Sequence, residues 1–244
     1  MTATSRDKEL SLIQHLDELR RRMYVMAIAV GVMTAISFAF AETLIGFLLL
    51  PAGQASCITL APTEGFATYM RVSLFAGIAL AMPVVVWQLF AYVDPALMPN
   101  ERRFVLRLGP FVVLLFVAGM AFCYFLLLPQ ALGFLLNFGG GVFQTELRCA
   151  EYLSFTTTFI LMLGVVFEVP AIMFALVRVR ILRRAQIAGV RRYVLLGVFV
   201  LAALITPTPD PFNQTLVALP MYLLFELGLF LSRFAEGRPA GGAG

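Results

Sequence analysis

The chain has 244 residues, of which 61% are hydrophobic and 13% charged, with a formal charge of +4 and a mean hydropathy of +0.91. Soluble domains carry about 25% charged residues, and no single aqueous core hides this much apolar surface, so lipid must be the main solvent for much of the chain. A soluble enzyme, a disordered chain, a coiled coil and a collagen-like protein are excluded, and three widely spaced cysteines with one histidine leave little material for a zinc ribbon, a disulfide scaffold or a histidine metal site.

A spanning helix needs about 20 mostly apolar residues. Apolar runs at about 23–40, 72–93, 108–128, 153–177, 193–205 and 216–231 predict an all-α integral membrane protein with six transmembrane helices, forming one membrane domain over 1–234. The last two runs are short. They are expected to form a hairpin around the breaker Thr206-Pro207-Thr208-Pro209-Asp210-Pro211, which requires local thinning of the bilayer. Pro83, Pro110, Pro170 and Pro220 lie within spans and predict bent helices and a concave bundle. Outer loops are expected at about 41–71 and 129–152, with a turn at Gly139-Gly140-Gly141, and the Gly/Ala-rich end, 235–244, is expected to be a disordered cytoplasmic tail. The first apolar run follows Arg22, and no small-residue cleavage site stands out, so a cleavable leader is not expected.

Charge sets the expected orientation. On this topology all of the 18 basic residues except Arg71 and Arg148 fall on one side, and a bias of that size places both termini in the cytoplasm. Topology and anionic lipid account for the juxtamembrane arginines, so nucleic acid is not an expected partner. The chain has no nucleotide-binding loop, zinc-protease helix or serine-hydrolase elbow. Neither enzymatic chemistry nor a cofactor is expected.

The lead segment places Leu12, Leu16, Leu19 and Met23 at helical spacing, which predicts an amphipathic helix at the interface before the first span. Asp17–Arg21 and Glu18–Arg22 are i,i+4 pairs, worth a few tenths of a kcal/mol each on a solvated face. Glu101 opens the third span, where the helix dipole alone favours a carboxylate. Glu168 lies in Phe167-Glu168-Val169-Pro170, with no basic residue within nine positions on either side. A charge at bilayer depth costs roughly 2.5–3.5 kcal/mol and usually faces protein or a water-filled cavity. Glu226 is expected to have an ordinary packing or interfacial role. Cys57 and Cys149 fall in the two outer loops, where an oxidising compartment would allow a disulfide. Cys123 is expected to pack as a small apolar residue.

The motif His15-Leu16-Asp17-Glu18-Leu19-Arg20 resembles the H-L-x-E-L-R signature of TatC, the multispanning core subunit of the twin-arginine protein translocase. The resemblance continues through Pro95-Ala96-Leu97, Glu101-Arg102-Arg103, Tyr152-Leu153-Ser154-Phe155, Phe167-Glu168-Val169-Pro170 and Asp210-Pro211-Phe212-Asn213-Gln214, and covers essentially residues 10–234. It implies a glove-shaped six-span protein in a bacterial or archaeal cytoplasmic membrane. It also implies export of folded proteins driven by the proton-motive force, TatA and TatB-type single-span partners, membrane lipid, and precursors with twin-arginine signal peptides. Self-association is compatible with it.

Carried onto this sequence, the resemblance places signal-peptide recognition on Glu18 and Glu101, with Tyr92 and His15 shaping the patch and Arg20 in support. It makes Glu168 a polar site that attracts a partner helix or water, and gives Asp210 and Gln214 a turn-forming or partner-contacting role. Tyr92 stands where the family often has another aromatic, and the Cys57/Cys149 pair is not a family hallmark. The alternative, a small-solute secondary transporter, predicts a midplane pocket and two related halves. No internal repeat supports it.

Overall fold

In lipid every backbone N–H and C=O must be satisfied within the chain, and helices are what this chain forms. The structure, a computed structural model, describes residues 5–53, 57–93, 99–137, 147–206 and 210–235. The side chains of 5–15, 93, 99–106 and 137 lie outside that description, as do the expected glycine turn and the tail after Ala235. In chain order the helices are α1 (Ser5–Ala39), α2 (Ala41–Leu49), α3 (Pro62–Val93), α4 (Pro99–Phe122), α5 (Leu128–Asn137), α6 (Cys149–Val166), α7 (Val169–Arg178), α8 (Arg184–Gly189), α9 (Arg191–Ile205) and α10 (Pro211–Ala235). Two short strands, β1 (Cys57–Ile58) and β2 (Leu147–Arg148), pair in parallel.

The helices run past the apolar stretches that announce them. The lead segment and first span form one 35-residue helix, α1, rather than a separate interfacial helix followed by a span. Helix also fills much of both expected outer loops, through α2, the first turns of α3, and α5. Propensity explains this, because polar stretches such as Ser5–Arg22 and Pro62–Arg71 contain no interior proline or helix-breaking cluster. Five helical stretches are long and apolar enough to cross a membrane: Leu16–Ala39, Pro62–Tyr92, Arg107–Leu136, Cys149–Arg178 and Pro211–Ala235. The fifth expected span, α9, has 15 residues, about 22 Å of helix against about 30 Å of hydrocarbon.

The prolines differ in effect. Helices α3, α4 and α10 continue through Pro83, Pro110 and Pro220. At Pro170 the chain breaks into α6 and α7, with Glu168 at the N-cap position of α7. Between α4 and α5 lies a π-helical turn, Cys123–Leu127. Pro129 has no N–H to offer the carbonyl four residues earlier, and a widened turn absorbs that loss.

Packing follows the rule for lipid-embedded helices, in which small residues let backbones approach. Helix α1 lies antiparallel along α3. Ser73, Gly77 and Ala81, all buried and one turn apart, form the α3 contact stripe. A Cβ on Gly77 would sit 2.6 Å from the Thr34 Cα and N. Gly119 meets Leu163 and Phe167, and Gly228 meets Pro170 and Met173, at comparably close range. The main core surrounds Tyr124, Leu128, Tyr152, Phe159 and Leu163. Within it the tyrosine hydroxyls donate to α2 carbonyls, Tyr124 to Phe47 at 2.7 Å and Tyr152 to Leu48 at 2.8 Å.

The end of the bundle holding the start of α3 is clasped. Cys57 and Cys149 are joined as a disulfide with Cα atoms 5.2 Å apart, beside the β1–β2 pairing of Ile58 with Arg148. The Arg148 Nε donates to the buried Glu64 at 2.9 Å, and its Nη1 donates to Glu151 at 2.6 Å. The hydrogen bond to Glu64 and that carboxylate's charge hold the Arg148 guanidinium above its ordinary pKa. Glu64 also accepts from the Leu60 and Ala61 N–H groups at the start of α3.

Two outcomes follow from this packing. Gly77→Leu forces α1 off α3 and is expected to lower stability by about 2 kcal/mol or more, measured as a lower thermal midpoint in mild detergent. Cys57→Ser is expected to lower stability by about 2 kcal/mol. A reducing agent should then lower the midpoint of the parent protein while leaving that of the variant unchanged.

Candidate functional site

The α1–α3 pair fixes the geometry of the site. The antiparallel register that sets Thr34 against Gly77 carries on to set Arg22 against Gln88. A little over three turns of helix, about 17 Å, separate this end of the pair from the Thr34–Gly77 contact, and the clasp lies beyond that contact. A cleft of about 600 Å³ opens here, lined by Asp17, Glu18, Arg21, Arg22, Val25 and Gln88.

Glu18 is the centre of the cleft. The Arg22 Nε donates to its Oε1 at 3.1 Å, and Arg22 Nη2 donates to the same oxygen. Arg22 Nη1 reaches across to α3 and donates to Gln88 Oε1 at 3.3 Å. The side chains of Arg22 and Glu18 keep only 21% and 33% of their exposure. The pair therefore sits in a partly dry crevice rather than on the solvated face expected from i,i+4 spacing. The neighbouring expectation, Asp17 paired with Arg21, is corrected. Asp17 pairs with Arg20 at 3.7 Å, both well exposed, since i+3 lies over the same helix face as i+4. Arg22, not Arg20, holds Glu18.

The other expected recognition residues occupy this end of the molecule. Tyr92 lies one turn beyond Gln88 in the last turn of α3 and is half-buried. His15 precedes Glu18 on α1, and Glu101 lies in the first turn of α4. The side chains of His15 and Glu101 fall outside the described residues.

Glu168 belongs to a different cavity. It is buried in the break between α6 and α7, and its backbone carbonyl accepts the Ile172 N–H at 2.9 Å. Its carboxyl faces an apolar space of about 300 Å³ walled by α3, α4 and α7, including Val86, Phe90, Val112 and Ala171. Its Oε1 has no hydrogen-bond partner among the described residues. A larger apolar cavity of about 580 Å³ lies toward the clasped end, between α1, α2, α3, α4 and α6, and Glu168 does not line it.

Asp210 and Gln214 act on the α9–α10 junction. The Asp210 carboxylate accepts the Asn213 N–H at 2.7 Å and the Asn213 side-chain amide at 2.9 Å, capping α10. Gln214 Nε2 donates to the Phe199 carbonyl at 3.0 Å, tying α10 to α9. Glu226 pairs with Arg191 at 2.9 Å and accepts the Tyr222 hydroxyl at 3.1 Å. Cys123 is buried as a free thiol. Among the described residues no group of three or more His, Cys, Asp or Glu side chains could hold a metal ion.

Sequence reasoning missed Gln88 altogether and gave Arg22 no role beyond a surface pair. One signal was available. Gln88 is an amide in an apolar stretch, and an amide drawn away from water demands a partner.

Residues 14–220 match the profile of the family described as Sec-independent protein translocase protein (TatC). The chain is 34% identical over 238 residues to the Sec-independent protein translocase protein TatC of Carboxydothermus hydrogenoformans, covering 97% of this chain and 98% of that one. It is 39% identical over 233 residues to the TatC of Escherichia coli K12, covering 93% and 90%. A crystal structure of the twin-arginine translocase receptor TatC superposes with a TM-score of 0.83 at 34% identity, covering 91% of this chain and all of that one. With five apolar helices long enough to cross a membrane and these likenesses over nearly its whole length, the chain belongs to the TatC family of Sec-independent protein translocase proteins.

Proposed function

We propose that this protein is the receptor and core of a twin-arginine translocase. It binds the twin-arginine signal peptides of folded precursors and supports their export with the proton-motive force. The observation that carries this reading is the half-buried Glu18 carboxylate in an open cleft, already bonded to a guanidinium fork. Arginine is permanently charged, and its planar fork suits a carboxylate. Successive residues of an extended peptide point in opposite directions, so two arginines call for two carboxylates on separate elements. Glu18 on α1 and Glu101 at the start of α4 supply them, with Tyr92 and His15 beside them and Arg20 in support.

The cleft faces the cytoplasm, in keeping with the distribution of arginines. Both termini lie on that side, α9 and α10 form the last two of six spans, and the clasp faces outward, where an oxidising compartment keeps its disulfide formed. The bundle is a concave glove. TatA and TatB-type single-span subunits pack against it in lipid. The unsatisfied Glu168 oxygen is the point to which a partner helix or water donates, because an unpaired buried carboxyl is costly.

Site-specific photocrosslinking of a twin-arginine precursor checks the recognition step. Glu18→Ala with Glu101→Ala is expected to cut crosslinking tenfold or more, about what the loss of one or two charge-assisted hydrogen bonds costs, with membrane insertion unchanged. Undiminished crosslinking rules the two carboxylates out. Glu168→Gln keeps the shape and removes ionisation, and is expected to slow export of a folded reporter about tenfold. Export at the parental rate excludes an essential charge at that position.

A further inference from the structure

We infer that Arg22 is a built-in competitor for the signal peptide: its guanidinium occupies the Glu18 carboxylate in the resting protein and must be displaced before a signal arginine can bind. The inference rests on the reading of Glu18 as the carboxylate that grips a signal arginine, and adds to it what holds the site when no signal is present.

Three observations carry it. Arg22 uses two of its nitrogens on a single Glu18 oxygen, which is the kind of contact a signal arginine would make. Arg22 is not merely a neighbour on the same helix, because Gln88 from α3 accepts a third nitrogen and holds the fork in place. The pair is also partly withdrawn from water, with Arg22 the more buried of the two. A freely solvated i,i+4 pair opens at almost no cost. One anchored from a second helix and partly desolvated is closed most of the time, since charge-assisted hydrogen bonds strengthen as water leaves.

The consequence is quantitative. When only the open fraction of a site binds, the apparent dissociation constant rises by the reciprocal of that fraction. Every ligand of Glu18 is weakened by the same factor, whereas adhesion to lipid or to other surfaces is not. Ligands with little intrinsic affinity therefore fall below the level of non-specific attachment, and those that offer two guanidinium forks stay above it. Arg22 sets that threshold, and Gln88 is its positioning residue. When a signal arginine takes Glu18, Arg22 keeps its bond to Gln88 or turns into the open cleft, so no charge is stranded in a closed space.

The test uses the full chain in vesicles of phosphatidylethanolamine and phosphatidylglycerol, with a fluorescent twin-arginine signal peptide read by anisotropy. Arg22→Gln is expected to tighten binding about three- to tenfold, the gain from opening a site that is about 70–90% closed. Arg22→Lys keeps the charge without the fork and is expected to fall between parent and Arg22→Gln, which keeps the proposal testable if the glutamine variant misfolds. Arg180→Gln removes the same charge at an exposed position outside the cleft and is expected to change binding less than twofold. Equal gains from Arg180→Gln and Arg22→Gln would mean bulk charge rather than competition, and would overturn the proposal. So would unchanged or weaker binding by Arg22→Gln while Glu18→Gln loses the peptide, an outcome that leaves the receptor reading standing. Unchanged binding by Glu18→Gln removes the receptor reading itself, and the competitor with it.

Discussion

Lipid offers neither a hydrophobic drive between helices nor water for a stray polar group. The structure answers both demands with a few local contacts. Backbones approach at Gly77, Gly119 and Gly228, where a side chain would collide with the neighbouring helix. The Phe47 and Leu48 carbonyls near the end of α2 receive the Tyr124 and Tyr152 hydroxyls, and the Phe199 carbonyl of α9 receives Gln214. Helix ends inside a bundle otherwise leave acceptors without donors. These contacts explain why a small number of glycines, tyrosines and one amide determine how apolar helices with little intrinsic preference for one another come together.

The same contacts position the site. The α1–α3 register is fixed at Gly77, and the disulfide and the Glu64–Arg148 pair tie the start of α3 to the segment that leads into α6. Glu18, Arg22 and Gln88 therefore meet on two rigid helices rather than on loops. On the proposed reading, a carboxylate held this way loses little freedom when a signal arginine arrives, and its specificity would come from fork geometry and from the resident guanidinium. Glu168 lies in a separate apolar cavity, so the proposed signal site and the proposed partner-contact site fall in different places of one scaffold.

Much of this was legible from the residues. Long apolar runs announce helices in lipid, and the lone glutamate beside a proline in such a run, Glu168, marks a buried break between two of them. The extent of the helices was less legible, because hydropathy marks where lipid lies and not where hydrogen bonding stops. α1 and α3 continue into polar sequence for that reason. Proline is a weak guide as well: Pro83, Pro110 and Pro220 sit inside continuous helices, while Pro170 coincides with a break. Spacing alone pairs Glu18 with Arg22, as found, but not Asp17 with Arg20, because i+3 and i+4 lie over one face; the anchoring of Arg22 by Gln88 on α3 has no such local cue. Contacts between residues 66 positions apart leave no local trace in a single sequence.

The central claim is that acidic side chains at one end of a lipid-embedded helix pair recognise guanidinium forks and not positive charge alone. Its most direct test is the affinity of the intact protein in vesicles for a leader peptide carrying two arginines, compared with the same leader carrying two lysines. The account predicts that the lysine leader binds at least about tenfold more weakly at equal ionic strength, since the charge is kept and the fork is lost. Equal affinity for the two leaders would contradict it.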